Sequence, residues 1–115
     1  MPRPKKCRRV CSMPRVTAFV PQEAGRAHPV TMTVDEYEAV RLIDLEGLTQ
    51  EQAAAQMEIA RTTAQAIYLS ARKKLADCLV NGRRLVIAGG DVAVCTEGCC
   101  SGRLNCPKRK GRTSE

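Results

Sequence analysis

Residues 33 to 80 have the sequence TVDEYEAVRLIDLEGLTQEQAAAQMEIARTTAQAIYLSARKKLADCLV. This sequence predicts three helices separated by two short breaks, one at Glu46-Gly47-Leu48 and one near Glu58-Ile59-Ala60. A short helix, a tight turn and a longer helix with a polar start are typical of a helix-turn-helix. The predicted fold class is therefore mainly α, with a three-helix helix-turn-helix at its centre.

Local signals mark where these helices begin and end. Thr33 with Glu36, and Thr49 with Gln52, each have the spacing of a capping box, in which side chain and backbone cap each other. Gly47 suits the left-handed residue that ends a helix. Each predicted helix therefore has its own boundary residues.

Apolar residues recur at helical spacing within each predicted helix. They are Tyr37, Val40, Leu42, Ile43 and Leu45 in the first, Ala53, Ala54 and Met57 in the second, and Ala64, Ile67, Tyr68, Ala71, Leu75 and Leu79 in the third. With only Phe19, Tyr37 and Tyr68 as aromatic residues, the core is expected to be aliphatic and thin.

Charge is unevenly distributed along the stretch. From Thr33 to Glu58 there are seven acids and one base, whereas from Arg61 to Ala76 there are four bases and no acid. The bases thus gather on the helix that a helix-turn-helix places in the major groove, which favours nucleic-acid binding. The alternative is a small bundle whose basic face is merely solvated.

Candidate DNA contacts lie mainly in the third helix. They are Arg61, Thr62, Thr63, Gln65 and Ala66 at base edges, Arg72 and Lys73 at phosphates, and Thr49 and Gln50 at the start of the preceding helix. Arginine can bind guanine and glutamine adenine, while methyl groups contact thymine. Backbone N–H groups at a helix start can hold a phosphate. The alternative for the two threonines is an ordinary role in the first helical turn.

The whole chain is consistent with one small domain that binds a polyanion. It has 115 residues, a net charge of +7 and a pI near 9.3. No apolar run approaches the roughly 20 residues of a membrane helix, and no secretory signal follows the basic start. We expect a cytoplasmic protein. Because His28 is the single, isolated histidine and no catalytic constellation accompanies it, we expect no enzyme.

The segments outside the helices predict four regions. Residues 1–32 form a basic arm with a short strand at Val16–Val20, and residues 33–82 the helix-turn-helix domain. Residues 83–95 form a β-hairpin wing with a glycine turn. Residues 96–115 form a flexible, basic, cysteine-containing tail. Residues 1–15 carry six bases and no acid, so they are not expected to fold alone.

Seven cysteines in a reducing compartment suggest metal ligands before disulfides. The candidate ligands are Cys7, Cys11, Cys95, Cys99, Cys100 and Cys106, which could hold zinc or an iron–sulfur cluster. Free or oxidisable thiols are the alternative, because no regular second pair completes the pattern. Cys78 is expected to be a small apolar residue of the core.

Four segments resemble one known family: the opening MPRPKKCRRV, the block TVDEYEAVRLIDLEGLTQEQAA, the segment SARKKLADCLVNGR, and the glycine pair after Leu85-Val86-Ile87. It is a family of short bacterial and archaeal DNA-binding proteins of unknown function, whose middle part is similar to region four of sigma factors. The resemblance covers residues 1 to about 94. It implies a winged or sigma-like helix-turn-helix and a regulatory role.

The chain departs from this family's pattern in the turn. Glu58, Ala60 and Thr62 stand where the family usually has glycine, serine and often proline. Losing the serine removes a helix cap worth about 0.5–2 kcal/mol. These changes are compatible with the fold but indicate altered DNA binding.

Two functions follow from these residues. The first is a sequence-specific transcription regulator that reads double-stranded DNA through residues 61–73. It is expected to act as a homodimer, with contacts at Leu69 or at the edge of the hairpin. The second is a metal- or redox-responsive protein-interaction module, which uses the acidic surface of the first two helices and the cysteines.

Overall fold

The computed structural model describes residues 8–23 and 28–94. It contains three helices, α1 (Val34–Val40), α2 (Gln50–Met57) and α3 (Arg61–Asn81), and α1 continues as a π-helical segment, Arg41–Leu45. Among the described residues, no helix has both the length and the apolar character needed to cross a membrane. Three helices and small sheets thus make up the fold.

Within residues 8–23 and 28–94, five short strands accompany the helices. They are β1 (Arg8–Val10), β2 (Ala18–Phe19), β3 (Val30–Met32), β4 (Leu85–Ile87) and β5 (Val92–Val94). In one sheet, β4 lies between β2, to which it is antiparallel, and β3, to which it is parallel. In the other, β1 pairs in parallel with β5. The sheets therefore join distant parts of the chain.

The predicted β-hairpin at residues 83–95 is wrong. Its two strands exist, but β4 and β5 do not pair, because β2 and β3 occupy both edges of β4. Gly89 and Gly90, with φ of +82° and +103°, lead the chain past the start of α1, where Val34 N–H donates to the Gly89 carbonyl at 3.0 Å. This path brings β5 to β1. The short strand predicted at Val16–Val20 is present as β2, which pairs with β4.

The described part of the N-terminal segment contains a strand that packs on the rest of the fold. Arg8–Val10 forms β1, and Val10 and Cys11 are buried. This order agrees with the prediction that residues 1–15 do not fold alone, since β1 pairs with β5 and packs on α1 and α2. Residues 1–7 and the tail at 96–115 lie outside the described residues.

The predicted helix boundaries are confirmed. Thr33 and Glu36 form a reciprocal capping box, with bonds of 2.9 and 3.4 Å between side chain and backbone. Thr49 and Gln52 do the same at 2.9 and 3.0 Å. Gly47 has the left-handed φ of +84°. α3, in contrast, begins without a side-chain cap, because residue 60 is alanine.

The core forms two apolar clusters joined by α3. One contains Val10, Val30, Met32, Val34, Ala71, Leu85 and Ile87, and the other Ala39, Leu42, Ala53, Met57, Ile67 and Tyr68. Leu45 and Leu79, expected in the core, are instead 76% and 84% exposed. Both lie near the ends of their helices, where no described element covers them.

Candidate nucleic-acid interface

The turn between α2 and α3 has a defined geometry. Glu58 ends α2 in a left-handed conformation at φ +60°, and Ile59 N–H donates to the Ala54 carbonyl at 3.0 Å. The Glu58 carboxylate also forms an ion pair with Arg9 of β1, 3.1 Å away. Sequence reasoning missed this contact, because nothing in the pattern links residues 49 positions apart. The ion pair between Arg9 and Glu58 therefore connects this turn to the N-terminal strand β1.

One face of α3 is exposed, basic and free of acids. Successive residues of an α-helix are rotated by about 100°, so eight residues fall within an arc of about 140°. These eight residues are Arg61, Thr62, Gln65, Ala66, Leu69, Arg72, Lys73 and Ala76, and all are exposed. We call this set the basic face. On the opposite side, Ala64, Ile67 and Ala71 are buried. Ile67 packs in the cluster with residues of α1 and α2, and Ala71 in the cluster with the strands and the start of α1.

Most predicted contact residues lie together on the basic face. Thr63 differs, because it is half-buried at the edge. Thr49 and Gln50 lie apart, at the start of α2, and the Thr49 hydroxyl accepts a hydrogen bond from Gln52 N–H at 3.0 Å. The backbone start of α2 thus remains a candidate for phosphate contact, but the Thr49 side chain is already used as a cap.

The bases of the basic face differ in their partners. Arg72 lies 3.6 Å from Asp44 and stacks its guanidinium over the Tyr68 ring at 5.5 Å. Arg61 and Lys73 form no ion pair with any described residue. Their charges are therefore available to an external anion.

Acidic residues of α1 are internal. Asp35, Glu36 and Glu38 are 6%, 7% and 1% exposed. Glu38 binds the Arg41 guanidinium through two bonds of 3.0 and 2.9 Å. The acidic surface expected on the first two helices is therefore wrong for these carboxylates, which are used to hold the fold together.

Glu36 connects α1 to α3. Its carboxylate accepts hydrogen bonds from Lys74 Nζ at 2.7 Å and from the Ser70 hydroxyl at 2.6 Å. Burial acts to raise the pKa of Glu36, but the hydrogen bonds from Lys74, Ser70 and the Thr33 backbone outweigh it and lower the pKa overall. Because its ammonium group is paired with Glu36, Lys74 is not free to contact a phosphate.

A second polar contact fixes the middle of α3. The Tyr68 hydroxyl donates to Asp44 of the π-helical segment at 2.7 Å, and this hydrogen bond raises the pKa of Tyr68. Together with the Glu36 contacts, it joins α3 to the first helix at two points on its length. The basic face is therefore presented on a firmly held helix.

The candidate metal ligands lie mostly beyond the described residues, namely Cys7, Cys95, Cys99, Cys100 and Cys106. Cys11 is buried, and residues 8–23 and 28–94 contain no group of three ligating side chains around it. Cys78 is half-buried against the core, as expected, and burial raises the pKa of its thiol. Zinc or an iron–sulfur cluster remains a prediction, which elemental analysis of anaerobically purified protein tests.

Comparison with known proteins gives matches along nearly the whole chain. A family model described as "Protein of unknown function DUF134" matches residues 1–95. A UPF0251 protein of Desulfitobacterium hafniense is 53% identical over 117 aligned residues, which cover 97% of this chain and 91% of the relative. One of Caldicellulosiruptor bescii is 48% identical over 110, covering 94% and 75%. No solved structure matches significantly.

Proposed function

The chain belongs to the DUF134 family of proteins of unknown function, and we propose that it is a transcription regulator that binds specific sequences of double-stranded DNA. In this proposal α2 and α3 form a helix-turn-helix similar to sigma factor region four, and α3 enters the major groove. The observation that carries the proposal is the basic face of α3, which is exposed, contains three bases and lacks acids.

Residues at the start of α3 have the chemistry to read base edges. Arg61 can form a bidentate contact with guanine, and Gln65, one turn later, can do so with adenine. Thr62 and Ala66 place methyl groups beside them for thymine. Arg72 and Lys73 lie two to three turns further along, where phosphate contact is the expected function.

The turn supports this assignment in spite of its unusual sequence. A glutamate at the DNA-facing end of α2 repels phosphate, but the Glu58 carboxylate is paired with Arg9 at 3.1 Å. This pair reduces the net charge near the start of α3. β1 therefore contributes to the proposed interface by offsetting the charge that the turn introduces.

The alternative is a metal- or redox-responsive protein-interaction module without specific DNA binding. Its expected docking surface was the acid-rich first two helices. Because Asp35, Glu36 and Glu38 are buried and paired with bases, that surface loses much of its charge. The described residues therefore favour DNA as the partner.

Selection of bound duplexes from a random pool tests the proposal, followed by binding assays on the selected sequence. We expect Arg61→Ala or Gln65→Ala to relax specificity at one base position and to cost about 1–3 kcal/mol. Lys73→Ala should weaken binding to all sequences and reduce the salt slope by about 1. Arg84→Ala is the matched control, because Arg84 is also exposed but lies outside the basic face.

Two results would contradict the proposed DNA binding. If Arg61→Ala weakens specific and random duplexes equally, Arg61 does not read bases. If binding by the unmodified protein does not fall steeply with salt, counterion release is not involved and the DNA proposal is wrong.

A further inference from the structure

An open apolar groove lies on the opposite end of α3 from the proposed reading residues. It has a volume of about 470 Å³ and is formed by β2, the residues that follow it, and the last turns of α3. Phe19 and Val20 line one side, and Leu75 and Leu79 the other. The function proposed above does not use this groove.

The side chains around the groove are unusually exposed for their type. Phe19 is 53% exposed, Val20 59% and Leu79 84%. Together the three present apolar surface on the order of 300 Å², within the range of roughly 300–600 Å² for the largest patch of a monomer. A surface of this kind is typical of a docking site.

We propose that a second copy of this chain docks on the groove through a two-fold axis. The same face carries a depression and protruding side chains such as Leu79, so two copies can insert their side chains into each other's grooves. Stable interfaces bury about 800 Å² per partner. The exposed apolar surface supplies roughly a third to a half of that area, and the remainder would come from residues at the edge of the groove.

Charge also favours a second copy at this face. With a net charge of +7, two copies repel each other at the basic face. Among the described residues that line the groove, Arg83 alone is charged, and its guanidinium lies 2.9 Å from Asp77. The groove is therefore the nearly neutral surface on which like-charged copies can meet.

The inference deepens the proposed function, because a dimer would present two reading helices to one duplex. Gln65 and Leu79 are 14 positions apart, which is about 21 Å along the axis of α3. Two reading regions placed on either side of a two-fold axis at Leu79 can thus lie up to about 42 Å apart. Half-sites one turn apart on DNA are separated by about 34–36 Å, within this reach.

Sedimentation equilibrium of the full chain without DNA tests the dimer directly. We expect a concentration-dependent dimer whose association is maintained or strengthened when NaCl is raised, because salt screens the repulsion. Leu79→Glu should raise the dimer dissociation constant roughly 30-fold or more. Leu45→Glu is the matched control, because Leu45 is a similarly exposed leucine on the π-helical segment, and it should leave the dimer unchanged.

Phe19→Glu, on the other wall of the groove, should act like Leu79→Glu, while circular dichroism verifies that each variant is folded. A monomer at every concentration and salt level would overturn the inference and leave the groove to another kind of partner. Equal effects of Leu79→Glu and Leu45→Glu would also overturn it.

DNA binding separates this inference from the proposed function. If both hold, Leu79→Glu should keep the affinity for a duplex with one half-site but lose the added affinity for two. A folded dimer that binds no duplex would refute the regulator and retain the groove interface. If the protein binds a specific duplex but stays a monomer, the groove interface is refuted and the regulator is retained.

Discussion

Replacing Glu38 with glutamine removes one charge from an ion pair inside the fold. Glu38 is 1% exposed, and besides Arg41 its carboxylate accepts a hydrogen bond from Cys11 N–H at 3.2 Å. Burial acts to lower the pKa of Arg41, but the hydrogen bond and charge of Glu38, together with the nearby Cys11 and Glu46, outweigh it and raise the pKa, so the guanidinium stays charged. Removing one partner of a buried pair costs about 3–5 kcal/mol. Since Glu46 lies 3.5 Å from Arg41, we expect a loss near the lower limit.

Such a loss is large for this chain, because the free energy of unfolding of small domains is only about 5–15 kcal/mol. Urea unfolding followed by circular dichroism measures the loss of stability. Glu51→Gln is the control, because Glu51 is an exposed residue of α2, and its expected change is within about 0.5 kcal/mol. The double variant Glu38→Leu with Arg41→Met removes both charges of this pair and should recover part of the stability, less the contact between Arg41 and Glu46 that is lost with it. Loss of the Glu38 acceptor for the Cys11 N–H still costs about 1–3 kcal/mol. A loss below about 1 kcal/mol for Glu38→Gln contradicts the assigned role of the pair.

Two further predictions concern the start of α1. Gly90→Ala should destabilise more than Gly89→Ala in thermal unfolding: both have positive φ, but only at Gly90 would the new methyl group lie 2.8 Å from an Asp35 oxygen. Equal losses would show that the close approach is relieved at little cost. Because the pKa of Glu36 is lowered on folding, its contribution is present above the ordinary glutamate pKa and is lost as pH falls through the folded pKa. Glu36→Gln should therefore flatten the acid side of the stability profile, and an unchanged profile would exclude Glu36 as its source.

Local sequence predicts the helices well, because their boundaries depend on neighbouring residues. Thr33 and Thr49 cap helices through partners three positions away, and Gly47 needs only its own backbone freedom. The buried side of α3 likewise follows from its apolar spacing. The basic face is the exposed remainder of that same helix, so most of the candidate site could be predicted as well.

Features that depend on distant residues could not be predicted in this way. β4 and β5 have strand-like sequences separated by four residues that include two glycines, yet their partners are β2 and β3 for β4 and β1 for β5. The periodic pattern also places Leu79 on the apolar side of α3 without revealing that the other elements end before reaching it. Its exposure, and with it the groove, becomes visible only in the folded chain.

Folding determines which of the charged residues between positions 33 and 80 are exposed, and this cannot be read from their composition. Residues 33–80 contain eight acids and five bases, which by composition alone argues against DNA binding. Folding buries Asp35, Glu36 and Glu38 beside bases, and charges paired in contact have little effect beyond the Debye length of about 8 Å at physiological salt. Arg61 and Lys73, which have no such pair among the described residues, then dominate the potential on the basic face. A duplex approaching α3 therefore meets a positive surface, although the surrounding sequence is acidic.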